Sequence, residues 1–280
     1  MRILLGLLLT CAAAAQTAVP SFEVASVKPA ARPSPVGLGA VRGGPGSSDP
    51  GQIRIIGISL RNLILRAYGI EEYQLAAPGW IESEQYDVVA KVPAGATRAE
   101  SLLMMQALLA DRFHLTVHRE QREVSGYAMV VAKGGAKFQE SAATADMPAG
   151  LVTGPARYDQ DGYPIARPGF SGMQIDSALY GGAHVARGTR ATMQDFAAAV
   201  ALQLGRAVED RTGLPGKYDF RLHWVSERVP PPGSVEAPST PDGPDLATAM
   251  QSQLGLKLET KKISAEILVV DHVERVPTEN

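Results

Sequence analysis

Apolar positions recur in this chain at two spacings, and they recur in the same order in its two halves. Residues 22–27 (FEVASV) alternate and predict a strand that stops at Lys28-Pro29. Residues 53–56 predict a second, short strand. Ser59 then stands as the N-cap of a helix whose Leu60, Leu63, Ile64 and Ala67 fall at i, i+3, i+4 and i+7, with Gly69 closing it. Trp80, beside Pro78-Gly79, reads as a core plug, and residues 86–92 read as the next strand. Thr97-x-x-Glu100 is a capping box that opens a helix over 98–111. That helix is apolar almost all round, which predicts burial on more than one side. Residues 113–118 and 126–132 read as a strand pair turning at Glu123-Val124-Ser125.

The pattern then returns. Residues 183–186 stand where 53–56 stood, and Thr192-x-x-Asp195 caps a helix carrying Met193, Phe196, Ala197, Val200 and Leu204, closed by Gly205. KYDFRLHW at 217–224 matches the earlier YDVVAKV around its Tyr-Asp pair. Asp245 caps 246–254, Gly255 ends it, and LKLET and EILVVDHV supply two last strands. The fold class expected is α+β: two tandem βαββαββ-like units with helices packed on mostly antiparallel sheets. Tyr86-Asp87 is expected to lie over Tyr218-Asp219.

The intervening segments set the domain limits. Residues 1–15 read as a signal peptide: Arg2 is a positive start, residues 3–9 an apolar core and Ala13-Ala14-Ala15 a cleavage site. Residues 16–132 form the first unit, with a Pro/Gly-rich loop over 29–51. Residues 133–181 read as a Gly/Pro-rich linker, and 182–280 as the second unit, interrupted by a disordered Pro-rich insertion over 229–244. The expected destination is the periplasm or the extracellular space. No transmembrane segment is expected in the mature chain. Cys11 is the single cysteine, and Leu8-Leu9-Thr10 before it departs from the small residues a lipobox requires.

Composition narrows the function classes. Hydrophobic residues make up 45% and charged residues 20%, as in globular proteins. The net charge of −2 argues against nucleic acid as a partner. Without a cysteine the mature chain has neither a thiol nucleophile nor a thiolate metal site.

Candidate chemistry is thin. His114 and His118 would share a metal on a helix, but on a strand they stand about 13 Å apart at ~3.3 Å per residue. His184, His223 and His272 are isolated in sequence. Ser171 lies in GFSGM, which is not the GxSxG of a nucleophile elbow. Asp159, Asp161 and Asp210 are carboxylates of loops. Asp210-Arg211-Thr212-Gly213 reads as turn chemistry, and Asp111-Arg112 as an ion pair or helix cap. The Gly-rich stretch before residue 51 has no phosphate-loop spacing. Tyr158, Tyr163, Phe170 and Tyr180 are candidate binding residues, either stacking on a peptide or glycan or anchoring their own segment. No catalytic residue, metal or cofactor is assigned.

FEVASVKP, the stretch LLADRFHLTVHREQREVSGYAMVVAKGGAKFQES, the motif DRTGLPGKYDF and the ending QLGLKLETKKISAEILVVDHVERVPTEN together resemble a large family of secreted soil acidobacterial proteins without an assigned activity. In that family the same domain is sometimes attached to membrane zinc metallopeptidases of the antibiotic-sensing type. The resemblance implies a sensing or binding role, although this chain carries no HExxH. The repeat unit is also similar, in topology, to the short N-terminal domain of secretins and TonB-dependent receptors, which makes protein contacts. The function expected is therefore a non-catalytic binding, sensing or interaction module with an envelope protein, peptide or glycan as partner. The competing reading is an extracytoplasmic hydrolase assembled from dispersed Asp, Glu and His residues. That reading demands a concave pocket holding a His with a carboxylate in hydrogen-bond reach.

Overall fold

The computed structural model describes residues 20–34, 37–142, 171–177, 182–225 and 243–278. Each described α-helix starts where a polar side chain takes an orphan donor of the first turn. Ser59 does so for α1 (Leu60–Tyr68), Thr97 for α2 (Arg98–Phe113), Thr192 for α3 (Met193–Leu204) and Asp245 for α4 (Leu246–Ala249). Glu100 and Asp195 reach back to the cap's own N–H, so both predicted capping boxes are present. α4 runs on as a π-helical turn over Met250–Leu254. Left-handed residues close all four helical segments: Gly69, His114, Gly205 and Gly255.

The strands in chain order are β1 (Val24–Pro29), β2 (Leu38–Gly43), β3 (Gln52–Ser59), β4 (Leu75–Ala76), β5 (Gln85–Lys91) and β6 (Thr116–Val131), followed by β7 (Gln139–Glu140), β8 (Gly172–Ser177), β9 (Ala183–Ala191), β10 (Val208–Asp210), β11 (Tyr218–Val225) and β12 (Leu256–His272). With the helices they make a mixed α+β fold of three mostly antiparallel sheets. The described elements run β-β-β-α-β-β-α-β from β1 to β6, and in the same order from β7 to β12.

Contacts divide the chain into two compact units. Among the described residues the first draws on 20–69, Pro78–Thr116 and 271–278. Its sheet has the order β1-β5-β3-β2, antiparallel throughout. The apolar face of that sheet (Ile55, Ile58, Tyr86, Val88) is buried, as are Leu60, Leu63, Ile64, Leu109 and Phe113 of the helices. The C-terminal segment finishes the unit by capping α2. Glu274 N–H donates to Phe113 O and Thr278 N–H to Arg112 O, both at 2.8 Å, and Thr278 Oγ1 donates to Asp111 O.

The second unit comprises Ile70–Ala77 and Val117–Val270 and holds two sheets. One has the order β7-β11-β9-β8, again antiparallel. Its inner face contributes Ala186, Tyr218, Phe220, Leu222 and Trp224 to a core with Phe196, Met250, Leu254 and Leu256. The other has the order β10-β6-β12-β4. There β10 runs parallel to β6 and β4 parallel to β12. The side-chain pairs Arg119–Glu266 and Gln121–Ser264 step in opposite directions along β6 and β12, so these two central strands are antiparallel.

Several expectations need correction. The order βαββαββ is not the one observed, because each half has strands the sequence reading omitted and lacks a hairpin it supplied. β6 is one unbroken strand through Glu123-Val124-Ser125, and β12 one unbroken strand through Lys261-Lys262. Their polar middles resemble turns because both faces of the paired strands are exposed there, so no alternation marks them. β2 lies inside the expected loop over 29–51, and β7 and β8 lie inside the expected linker over 133–181. Trp80 is only half-buried and lies under the Arg275 guanidinium, 5.0 Å from the ring centre; the buried side chain of that turn is Ile81. His114 belongs to a helix cap, not to a strand. α2 exposes Leu103, at 45%, so one side of it faces outward. Residues 1–15 lie outside the described residues, as does most of the insertion over 229–244.

Candidate binding groove

The parity of a ladder decides which peptide groups an edge strand offers. Ala30 N–H donates to Gln85 O at 2.8 Å. The register then continues through Lys28↔Asp87, Ser26↔Val89 and Val24↔Lys91. In an antiparallel ladder every second residue bonds across. Lys28, Ser26 and Val24 therefore turn their peptide groups to β5, while Val27 and Ala25 turn theirs to the other side of β1, where Val27 is buried and Ala25 half-buried. Pro29 shares the outward parity, the place where a residue without an N–H costs the ladder nothing. β1 is the last strand of its sheet, so among the described residues this edge has no strand paired to it.

Beside the edge lies a cleft of about 420 Å³, lined by residues 21–25 and by Met104, Ala107, Leu108, Asp111 and Arg112 of α2. This lies within the roughly 300–1,000 Å³ of ordinary ligand sites. Met104 and Leu108 are buried, and Val24 is 66% exposed. Its charges are internally matched: Lys91 Nζ meets Glu23 Oε2 at 2.6 Å, and Arg112 Nη1 meets Asp111 Oδ2 at 3.1 Å. A near-neutral, apolar groove between a strand edge and a helix suits an extended peptide, whose main chain pairs with the edge and whose side chains lie on the helix.

In the second unit the lane beside β11, which corresponds to the one that β1 fills beside β5, is closed with very little strand. Ser141 N–H donates to Lys217 O at 2.8 Å, and β7 covers β11 only at Tyr218 and Asp219. Farther along, Gln253 takes the place of a strand. Its Oε1 accepts from His223 N–H at 2.9 Å and its Nε2 donates to His223 O at 2.7 Å. Val225 N–H donates to Pro244 O at 3.0 Å. A side-chain amide and one loop carbonyl have blunted this edge.

The second unit also has a polar cleft of about 470 Å³, bordered by Tyr73, Glu209, Arg211, Lys261 and Lys262 among others. Arg211 at 2.7 Å and Lys261 at 3.1 Å both donate to Glu209 and hold its carboxyl below the usual range, and Arg211 is raised in turn. Burial, and then the charge of Glu71, push the Tyr73 phenol up. The Glu209 carboxylate that a ligand would need is already held by two cations.

Tyr158, Tyr163, Phe170 and Tyr180 lie outside the described residues, as do Asp159 and Asp161. Ser171 is exposed at the start of β8. Asp210 is turn chemistry, as expected: its Oδ1 accepts from both the N–H and the hydroxyl of Thr212, and Gly213 follows at φ 71°. Asp111 and Arg112 form the expected ion pair. His114 Nδ1 lies 3.2 Å from Glu274 Oε2, and His272 Nε2 lies 3.8 Å from Glu274 Oε1. These three side chains are about half exposed and line neither cleft. Among the described residues no group of three His, Cys, Asp or Glu side chains is spaced to hold a metal, and no helix is long and apolar enough to cross a membrane.

Sequence reading missed the groove because it weighed side chains, and the groove's donors are peptide groups. One signal was present: a proline ending an alternating strand marks an edge. No curated protein and no solved structure matches the chain. Residues 61–273 match the family described as "Protein of unknown function (DUF3738)", and the chain belongs to that family.

Proposed function

We propose that this chain is a non-catalytic binding module acting outside the cytoplasm, and that it holds an extended peptide segment of a partner in the groove between β1 and α2. One observation carries the reading: the outward peptide groups of Ala25 border an apolar cleft in the first unit, in the lane beyond the one that β1 fills there and that Gln253 and Pro244 fill in the second unit. Export rests on the signal-like pattern of residues 1–15.

We further propose that the halves descend from one duplicated unit, one copy filling the lane beside its central strand with β1 and the other filling it largely with a side-chain amide and a loop carbonyl. Supporting this, β1-β5-β3-β2 and β7-β11-β9-β8 follow the same order, and Tyr86-Asp87 and Tyr218-Asp219 hold the same register positions.

The test uses decapeptides selected from a random display library on the chain lacking residues 1–15. Ala25→Pro removes an outward donor and leaves the bonds to β5 intact. Selected peptides should bind the parent at least tenfold more tightly than this variant and should slow amide exchange at Ala25. Failure to select any peptide, or affinities indifferent to Ala25→Pro, would remove the groove reading. Robust hydrolysis of peptide, ester or glycoside substrates would remove the non-catalytic one.

A further inference from the structure

We infer that Arg112 grips the main chain of the docked segment, donating to its carbonyl oxygens. The inference rests on the groove reading above and adds the contact that reads the occupant's backbone.

The argument starts from a shared position. Arg112 is the next-to-last residue of α2, followed by Phe113 and the left-handed cap His114. Gln253 is the next-to-last residue of its helical segment, followed by Leu254 and the left-handed cap Gly255. Buried leucines come next in both cases, Leu115 and Leu256. Gln253 holds both peptide groups of His223 on the outer edge of β11.

Matching Tyr86 with Tyr218 places Lys91 opposite His223 in the count along β5 and β11. In the first unit that lane is already filled, since Val24 pairs with Lys91. The helix residue at the Gln253 position therefore borders the next lane out, the one beyond β1. Arg112 does line the cleft with residues 21–25.

Its hydrogen bonding is incomplete there. The side chain is 19% exposed and Nη1 meets Asp111, yet Nε is buried and has no hydrogen-bond partner among the described residues. Buried polar groups are nearly always bonded, so an orphan donor in a side chain that lines a cleft favours an incoming acceptor that the guanidinium turns to meet. Arginine has donors only, whereas Gln253 both donates and accepts. The occupant must accordingly bring oxygens. Because Asp111 already neutralises the guanidinium, a neutral main-chain carbonyl suffices and a carboxylate is not required.

The display-selected decapeptides serve as the probe, each made with a free and with an amidated C-terminus, against the full chain lacking residues 1–15. Arg112→Leu should weaken binding at least tenfold with the melting temperature held within a few degrees. Arg112→Gln should restore affinity to within about threefold, since glutamine performs this task at position 253. Free and amidated peptides should bind alike. Peptides that still depend on Ala25 but bind Arg112→Leu as tightly as the parent would overturn the role of Arg112 and leave the groove standing. Binding lost on amidation would overturn the carbonyl assignment in favour of a terminal carboxylate. Affinities indifferent to Ala25→Pro would defeat the groove reading, and this inference with it.

Discussion

The carboxylate of Asp219 accepts the backbone N–H of Arg190 at 2.8 Å, and Arg190 holds φ at 50°. In the first unit Asp87 does the same for Gly57, at 2.8 Å with φ 67°. Each acceptor holds a flipped peptide just ahead of a helix N-cap, at a step in the ladder register. Hydrogen bonds to charged acceptors contribute roughly 1.5–3 kcal/mol. Asp219→Ala and Asp87→Ala should each lower the urea midpoint by an equivalent amount, and Asp87→Ala by more, because its second oxygen also accepts from Ala31 N–H. Gly57→Ala should be worse again, because its Cβ would lie 2.9 Å from Arg32 O at a positive φ.

Alkali should loosen the first unit through Tyr86. Burial, followed by the charge of Glu84, pushes its phenol up to about 12, against an ordinary value of 10.0. The hydroxyl donates to Arg275 O at 2.6 Å, and the ring stands edge-on to Phe113 at 4.9 Å. Because the folded value is raised, the neutral phenol's contribution is complete below pH 10 and drains away as pH rises toward 12. A change of that size is worth at most roughly 2–3 kcal/mol, and less once solvent screening is counted. Tyr86→Phe should flatten this limb of the stability profile while costing about 1 kcal/mol near neutrality. A parent and variant with the same alkaline limb would contradict the assignment.

Removing Gln253 should expose an edge. Gln253→Ala strips two hydrogen bonds from the half-buried peptide groups of His223, a loss of roughly 1–3 kcal/mol. Amide exchange at His223 should accelerate well beyond that of its neighbours, and the variant should self-associate more readily at high concentration. Unchanged protection at His223 would mean that the amide clamp contributes nothing.

A methyl group at position 188 should be poorly tolerated. The Cβ of Gly188→Ala would overlap the ring of Phe220, which packs on Phe196 at 4.9 Å. Overpacking of this kind costs roughly 1–3 kcal/mol. Phe220→Leu in the same chain should recover part of the loss, a coupling that a double-mutant cycle reads directly.

Much of the helical framework was legible in the sequence, for local reasons. Ser59, Thr97, Thr192 and Asp245 announce helix starts because capping chemistry acts over three residues, and Gly69, Gly205 and Gly255 announce ends in the same way. The middles of β6 and β12 were illegible because pairing, not burial, defines them; Glu123 and Lys262 carry no alternation to read. β4 and β7 are two-residue strands set by partners far away in sequence. The groove was harder still. Its donor at Ala25 is a backbone group whose direction depends on the register with β5, and no residue type signals that.

Two long-range contacts also bear on how folding finishes. Leu75 pairs with Leu268, and Glu274 closes the end of the helix at Phe113. Each unit is thus completed by a segment far away in sequence from the part it closes. Contacts this distant form slowly, because a long loop must close before any bond rewards it. These residues act as latches, and holding them back would leave both units undone.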